Sequence, residues 1–455
     1  MKLISQFKNK YNNITYKVYQ TNNGIKVLHL DNPATIDFNF AIVVKAGSAH
    51  EDSEEVPRGT AHFLEHMLPN PNSTFKNKDI IDSFEKGDRE SPALNINAST
   101  TKKNIYFTGY SNEKGKYRIL DRVGSFIQFP KRKFANQIEK ERGIILAEKS
   151  RKIKKEKDSF LMSLEFLFQD TQPEFVYDNL GEVDDIKRIG IEDLKKYFKK
   201  RFVTGNTVFA IQSKGELNRR IINKLEKISN SFEISKTVNF RKVNLENMYR
   251  IGAFEEDRAN GISISFIYFE RDEGKIDYKQ SAKRYISGRL LYWLAFDRLR
   301  EKKSLIYDFS LFKVNSLSYD SFFFGFRFVT EKEKVKQMLI ELHSLLYEDI
   351  FAFLKTKRGK ERFEDIISSY IFPQTTVFDE EAAESSSVSL LENDEVYNSS
   401  LSVKEAKKIS LEDIIDDIKT WVNTPPHIWI EGDMSEDEMI GIIKDSPFEK
   451  RFSTV

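Results

Sequence analysis

The sequence contains no cysteine, and only six of its 455 residues are histidine. Without cysteine the chain has no disulfides, so a metal site would have to be built from histidine and carboxylate side chains. No stretch of about 18 uncharged apolar residues is present, which argues against a membrane-spanning helix. Residues 1–20 also lack the apolar core of a signal peptide. We therefore expect a soluble, cytoplasmic protein, and export by another route stays open.

The charges of the chain are almost balanced. Its 72 basic and 70 acidic side chains leave a formal net charge of +2 at pH 7. This balance gives no reason to expect nucleic acid or an anionic membrane as a partner. Hydrophobic residues make up 40% and charged residues 31%, which is typical of a globular protein. A chain of this length predicts about two to three domains.

Two similar passages lie about half a chain apart. Residues 181–215 and 409–435 each predict a helix with an acidic start, then a turn, then a strand that carries an aromatic residue and ends near glycine. We therefore predict an α+β protein of two similar modules, each with an antiparallel-rich sheet covered by helices. The predicted boundaries are 1–228 for the N-terminal module, 229–248 for a polar linker and 249–455 for the C-terminal module.

The strongest chemical signal is a histidine pair in an apolar run. Thr60 is the predicted N-cap of a helix that Pro69 ends, and positions four apart on a helix share a face. His62 and His66 can therefore meet one ion, with Glu65 at the border of that face. This His-x-x-Glu-His order is the inverzincin signature, in which the carboxylate acts as the base. Two core histidines are the alternative, which the scarcity of histidine disfavours.

A second acidic pair lies further along the chain. Glu141 and Glu148 are seven residues apart, two helical turns, so they share a face of the predicted helix. An exposed charged helix is the simple interpretation. However, Gly143–Ala147 between them is apolar, and a carboxylate on a partly buried helix needs a partner such as a cation. The residues alone leave the third metal ligand open.

With these stretches in hand, the chain resembles the pitrilysin family of zinc peptidases, which includes insulin-degrading enzyme and the mitochondrial processing peptidase. The resemblance covers nearly the whole chain and rests on several motifs. These are AGSAHE (46–51), GTAHFLEHM (59–67), NAST (97–100), ERGIILAE (141–148) and RLREKKSLIYDFS (298–310). In the family, such motifs form the zinc helix, a substrate-binding edge strand, a pair of glutamates and an Arg/Tyr element.

The resemblance also implies a role for each matching residue. The implied site consists of the Zn²⁺ ligands His62, His66 and Glu148, the supporting acid Glu141, the catalytic residues Glu65 and Tyr307, and the substrate-binding residues Asn97, Ala98, Ser99 and Arg300. Two departures from the family pattern, DRESPA (88–93) and PNPNST (69–74), lie beside the substrate strand and touch no proposed ligand.

The implied activity is that of a zinc endopeptidase that hydrolyses extended peptides or leader segments inside a dimeric chamber. The family builds this chamber from four modules, and the chain supplies two, so we expect a homodimer or a heterodimer with a related subunit. The alternatives are a catalytic subunit active only with such a partner, a non-catalytic interaction subunit, or an interaction protein with a fortuitous motif.

Overall fold

The computed structural model describes residues 1–129, 134–153, 159–168, 172, 174, 176–237, 249–256, 261–271, 276–315, 321–375 and 382–452. Its contacts divide the chain into two compact units. The first unit contains Met1–Glu156, Pro173–Arg241 and Val377–Tyr397, and the second contains Lys157–Gln172, Lys242–Thr376 and Asn398–Val455. Among the described residues, no helix is long and apolar enough to cross a membrane.

Twelve strands and seventeen α-helices are described. The strands are β1 (Lys2–Lys8), β2 (Thr15–Gln20), β3 (Lys26–Asp31), β4 (Asp37–Val44), β5 (Asn95–Thr100), β6 (Ile105–Asn112), β7 (Thr207–Ser213), β8 (Arg250–Glu255), β9 (Ile262–Arg271), β10 (Asp308–Asn315), β11 (Ser321–Thr330) and β12 (His427–Gly432). The helices are α1 (Thr60–Met67), α2 (Lys78–Lys86), α3 (Lys116–Gly124), α4 (Phe134–Ile153), α5 (Ser159–Phe168), α6 (Val183–Arg188), α7 (Ile191–Arg201), α8 (Arg219–Ser229), α9 (Tyr278–Ala295), α10 (Val335–Ser344), α11 (Ile350–Leu354), α12 (Lys357–Thr375), α13 (Ala382–Asn393), α14 (Ser399–Ala406), α15 (Leu411–Asn423), α16 (Glu436–Lys444) and α17 (Pro447–Phe452).

The first unit is built on a seven-stranded sheet in the order β1-β2-β3-β7-β4-β6-β5. Its neighbouring strands are antiparallel except for β3 and β7, which are parallel. One face packs on α1, α3, α7 and α8 around a core that includes Phe63, Phe107 and Phe209. The other face is covered by α13, through Leu390 and Leu391. Strand β5 lies at the edge of this sheet.

The second unit repeats this topology. Its five-stranded sheet has the order β10-β11-β9-β12-β8, which matches β5-β6-β4-β7-β3 of the first unit strand for strand. The pair β12 and β8 is parallel, as β7 and β3 are, and the other pairs are antiparallel. Strands β7 and β12 hold corresponding positions in the two sheets, and each follows a helix in the chain, α7 and α15 respectively. The predicted α+β fold of two similar modules is therefore confirmed.

Several local predictions can be compared with these elements. Turn-flanked, β-rich patterns predict strands at 23–30 and 37–47 and two paired strands within 94–110. These are β3 and β4, and β5 and β6. The sequence also predicts helix from about Phe134 to Phe168. This segment forms α4 and α5, and residues 154–158 between them lie outside the described part. Most of the predicted linker, 238–248, also lies outside it, so the domain boundaries stay predictions.

Buried His29 should make the first unit sensitive to acid. Burial lowers its pKa to about 4; the charge of Lys17 adds to this shift, and Asp31 and Glu216 oppose it. Because this pKa lies below its unfolded value, the stability contributed is complete above about pH 6.5 and is lost as the pH falls towards 4. Between pH 7 and pH 5, the free energy of unfolding should fall by about 2 kcal/mol more in the wild type than in His29→Gln, which lacks the titrating imidazole. Urea unfolding at the two pH values measures this difference. Equal losses in both proteins would contradict the prediction.

Candidate metal centre

The start of α1 differs from the predicted N-cap at Thr60. Gly59 occupies the N-cap position with φ 91°, and a Cβ there would lie 2.2 Å from the carbonyl oxygen of Leu180, so only glycine fits. The side chain of Glu51 supplies the cap. Its Oε2 accepts a hydrogen bond from Gly59 N–H (2.9 Å) and its Oε1 accepts one from Ala61 N–H (2.7 Å). A carboxylate at this position also complements the helix dipole.

Glu51→Gln is expected to destabilise this helix start. Glu51 is 1% exposed, and its burial raises its pKa to about 8. The substitution turns one accepting oxygen into an amide N–H that faces a backbone N–H, so a buried donor loses its partner. We expect the free energy of unfolding to fall by about 1–3 kcal/mol, measured by urea titration at about pH 9, where Glu51 is charged and both of its oxygens accept. The matched change Glu90→Gln, at an exposed position, should have little effect, and equal stability of the two variants would overturn the capping role.

Helix α1 presents two imidazoles, and α4 adds a carboxylate to them. The rings of His62 and His66 have centroids 4.6 Å apart. Glu148 Oε2 lies 3.7 Å from His62 Nε2 and 3.8 Å from His66 Nε2. The possible ligand atoms of these three residues all lie within 4.8 Å of one another. On its opposite side α1 is anchored by apolar side chains with no exposed surface, namely Phe63, Leu64 and Met67.

This donor set fits a zinc ion. Two ligands of one tetrahedral zinc, each about 2.0–2.2 Å from the metal, lie roughly 3.4 Å apart. The distances from Glu148 to the two histidines, 3.7 and 3.8 Å, are close to that value. Two imidazoles and one carboxylate, with one position left for water, form a common catalytic zinc set. The structure thus brings together His62, His66 and Glu148, as the resemblance implied.

Glu141 contacts the Nδ1 side of the His66 ring. Its Oε2 lies 3.5 Å from His66 Nδ1, so the Nε2 of the ring is the nitrogen that could bind a metal. Asn70 holds this carboxylate, because its Nδ2 donates to Glu141 Oε1 (3.1 Å) and also to the carbonyl oxygen of His66 (2.9 Å). Burial raises the pKa of Glu141, but the hydrogen bonds from His66 and Asn70 outweigh it and leave the pKa below its usual value. The carboxylate therefore stays charged beside the ring.

Glu65 lies next to this cluster. Its Oε2 is 3.7 Å from His62 Nε2 and accepts a hydrogen bond from the hydroxyl of Thr100 at 3.2 Å. Only 8% of the residue is exposed. Burial raises the pKa of Glu65, although His66 and Thr100 oppose the shift. A carboxylate with a raised pKa beside a metal site has the chemistry of a general base that later returns its proton.

The predicted substrate strand is an edge strand. Among the residues that the structure describes, β5 pairs with β6 and with no other strand, and Asn97 lies opposite Thr108. Asn97 and Ser99 are exposed, and Ala98 is half-buried. The outer side of an edge strand leaves N–H and C=O groups free to pair with an added strand.

Arg300 and Tyr307 belong to the second unit. Arg300 is exposed on a π-helical turn at Phe296–Lys302, with its guanidinium 4.8 Å from the ring centroid of Phe296. Tyr307 comes directly before β10, is 51% exposed and donates its hydroxyl to Glu331. Both side chains are accessible; without the family resemblance a surface arginine and a core tyrosine would be expected, and Tyr307 is not in the core. Their role at a catalytic site stays a prediction.

Three residues around the site were not predicted from the sequence. Glu51 ends the motif AGSAHE (46–51), but nothing in the local sequence shows that it caps a helix that begins nine residues later. Asn70 lies in the turn after α1, and no spacing rule links it to Glu141. It belongs to the segment at 69–74 that was predicted to touch no proposed ligand, and its hydrogen bond to the carbonyl oxygen of His66 corrects that prediction. Asn179 donates a hydrogen bond to the end of β5 from a loop about eighty residues away in sequence. These contacts depend on the tertiary fold.

A His-x-x-Glu-His helix, a third possible ligand (a carboxylate) on a neighbouring helix and an open strand edge together resemble the site of a zinc peptidase. A family model described as "Insulinase (Peptidase family M16)" matches residues 26–172. A second one, described as "Peptidase M16 inactive domain", matches residues 188–366. The chain belongs to peptidase family M16, which confirms the resemblance found in its motifs.

Similar proteins include two that are named zinc proteases. "Probable zinc protease PqqL" of Haemophilus influenzae is 26% identical over 273 residues, which are 55% of this chain and 27% of that protein. "Uncharacterized zinc protease YmxG" of Bacillus subtilis is 22% identical over 360 residues, 76% of this chain and 82% of that protein. The fold resembles that of the first half of the periplasmic protease PqqL from Escherichia coli, with a TM-score of 0.75, 14% identity and coverage of 97% of this chain and 98% of that chain.

Proposed function

We propose that this chain is the catalytic half of a zinc-dependent endopeptidase that cleaves extended peptides or leader segments. The observation that carries the proposal is the convergence of His62, His66 and Glu148, with Glu65 beside them and hydrogen-bonded to the end of β5. A site of this kind provides a metal, a base and a surface for the peptide backbone. These are the requirements of peptide hydrolysis.

The residues divide the reaction between them. When bound, Zn²⁺ supplies the Lewis acidity that makes water a nucleophile near neutral pH. Glu65 takes a proton from water as the water oxygen bonds to the substrate carbonyl carbon. The same carboxyl gives the proton to the leaving nitrogen as the C–N bond breaks. Glu141 keeps His66 oriented throughout.

The proposed substrate is an extended peptide. The free edge of β5 can pair with a peptide backbone as an added strand, and a folded domain does not offer such a backbone. Asn97, Ala98 and Ser99 are the residues of that edge. We also propose that Arg300 binds the substrate backbone and that Tyr307 stabilises the oxyanion of the tetrahedral intermediate.

We further propose that the active assembly contains a second chain, either another copy or a related subunit. Two observations support this. The matched region is 27% of the length of the Haemophilus protein, and the fold covers the first half of the Escherichia coli protease. A specific observation also favours the alternative that the chain is active only with a related partner: the model that matches residues 188–366 is described as an inactive domain.

The test is incubation of the purified chain with a peptide library, with zinc or with a zinc chelator, read by mass spectrometry. The proposal predicts internal cleavage that the chelator stops and that added zinc restores. A parallel incubation with a related subunit distinguishes the two assemblies, because a homodimer cleaves without it. No zinc-dependent cleavage in either incubation would overturn the proposed function.

A further inference from the structure

The base and the substrate strand are joined by a chain of hydrogen bonds. The hydroxyl of Thr100, the last residue of β5, donates to Glu65 Oε2 at 3.2 Å. The side-chain amide of Asn179 donates to the backbone carbonyl oxygen of Thr100 at 3.3 Å. The hydroxyl of Ser48 in turn donates to Asn179 Oδ1 at 2.7 Å. Asn179 therefore holds the backbone of the residue whose hydroxyl holds the base.

Asn179 belongs to the loop Asp178–Glu182, which we call the clamp loop. Two further sets of contacts fix this loop. The first set involves α4. Lys149 is 4% exposed, and its Nζ donates to Asp178 Oδ2 at 3.3 Å and to Glu182 Oε1 at 3.1 Å. Lys149 directly follows the proposed ligand Glu148. The clamp loop is thus tied to the helix that carries the third ligand.

The second set involves the start of α1. Gly181 has φ 75°, and a Cβ there would lie 2.1 Å from the carbonyl oxygen of Arg58. Likewise, a Cβ at Gly59 would lie 2.2 Å from the carbonyl oxygen of Leu180 in the clamp loop. The two glycines therefore let the two backbones pass at a distance that no side chain would allow. The clamp loop therefore contacts α1, which carries Glu65, α4, which carries Glu148, and the end of the proposed substrate strand β5.

We propose that Asn179 is a positioning residue for Glu65 that acts through Thr100. Thr100 holds one carboxylate oxygen of Glu65, so the other oxygen is left to move the proton. The same residue ends the strand that would hold the substrate, so its position fixes the base and the scissile bond relative to each other. A displacement of about 1 Å at such a site costs about a hundredfold in rate. The inference rests on the proposed peptidase function and adds to it the device that aligns base and substrate.

The test is a double-mutant cycle in the full-length chain. Asn179→Ala removes the donor to Thr100, and Thr100→Val removes the hydroxyl with little change of shape. We expect each change to lower kcat by about ten- to a hundredfold, with KM altered less than about threefold and zinc still bound. Since both act along one path, the double variant should be no slower than the slower single variant. Thr100→Ser, which restores the hydroxyl, should return kcat to within about threefold of the wild type.

Asn218→Ala is the matched control. It removes an asparagine that caps α8 through Ile221 N–H (3.0 Å), so it should lower stability and leave kcat unchanged. The inference is overturned if Asn179→Ala keeps wild-type kcat, if the two losses multiply in the double variant, or if Thr100→Ser is as slow as Thr100→Val. Lack of cleavage by the wild type would instead count against the proposed peptidase function, and the two failures are therefore distinguishable.

Discussion

Glu65→Gln is expected to keep one zinc per chain and to lose peptide cleavage by about a thousandfold or more. The amide has nearly the same shape as the carboxylate and can still accept the hydrogen bond from Thr100, so the fold and the metal ligands should be unaffected. It cannot take a proton from water at neutral pH. Steady-state cleavage of a fluorogenic peptide, together with zinc analysis by mass spectrometry, measures both parts of this prediction.

Glu90→Gln provides the control for that experiment. It makes the same chemical change at an exposed position between α2 and β5 and should leave kcat and zinc content as they are. If Glu65→Gln cleaved peptide at the wild-type rate, Glu65 would not be the base. If it lost zinc together with activity, the loss could not be assigned to proton transfer.

His66→Ala is expected to abolish zinc binding, a larger effect than that of Glu141→Gln. It removes one of three ligands and also leaves Glu141 buried without the ring that faces it at 3.5 Å. By contrast, Glu141→Gln keeps all three ligands and alters only the support of the ring. We expect Glu141→Gln to weaken zinc affinity by about 10–100-fold, whereas His66→Ala should leave no zinc bound after dialysis.

Zinc retained after dialysis against a competing chelator measures this order. His343→Gln is the control, because His343 is a partly buried histidine of the second unit, outside the ligand group. It should retain zinc like the wild type. Retention of zinc by His66→Ala would show that the metal is held elsewhere.

Much of the fold was readable from periodic patterns. The edge strand β5 and its neighbour β6 were predicted because short alternating runs separated by turn residues indicate paired strands. The two passages at 181–215 and 409–435 predicted a repeat. Their strands β7 and β12 hold corresponding positions in the two sheets, which share the order of five strands. Helix α13 could not be predicted as a cover for the first sheet, because its packing depends on contacts with strands far away in sequence.

The residues of the candidate site that are close together in sequence could be predicted from their spacing, and those that are far apart could not. His62, Glu65 and His66 lie within two turns of one helix, so their spacing alone indicated a metal. Glu148 is more than eighty residues further on. Its spacing from Glu141 indicated a partly buried acidic pair, but only the family resemblance pointed to Glu148 as the third ligand. The predicted N-cap at Thr60 was wrong, because the close approach of a second backbone places Gly59 there and a distant carboxylate takes over the capping.

The most direct measurement is anomalous X-ray diffraction at the zinc absorption edge from crystals of the zinc-loaded chain. We predict one strong peak about 2.0–2.2 Å from Nε2 of His62, Nε2 of His66 and a carboxylate oxygen of Glu148. Glu65 should lie beside the peak without binding the metal directly. A peak elsewhere, or no peak within reach of these three residues in a crystal that contains one zinc per chain, would contradict the assignment of this centre.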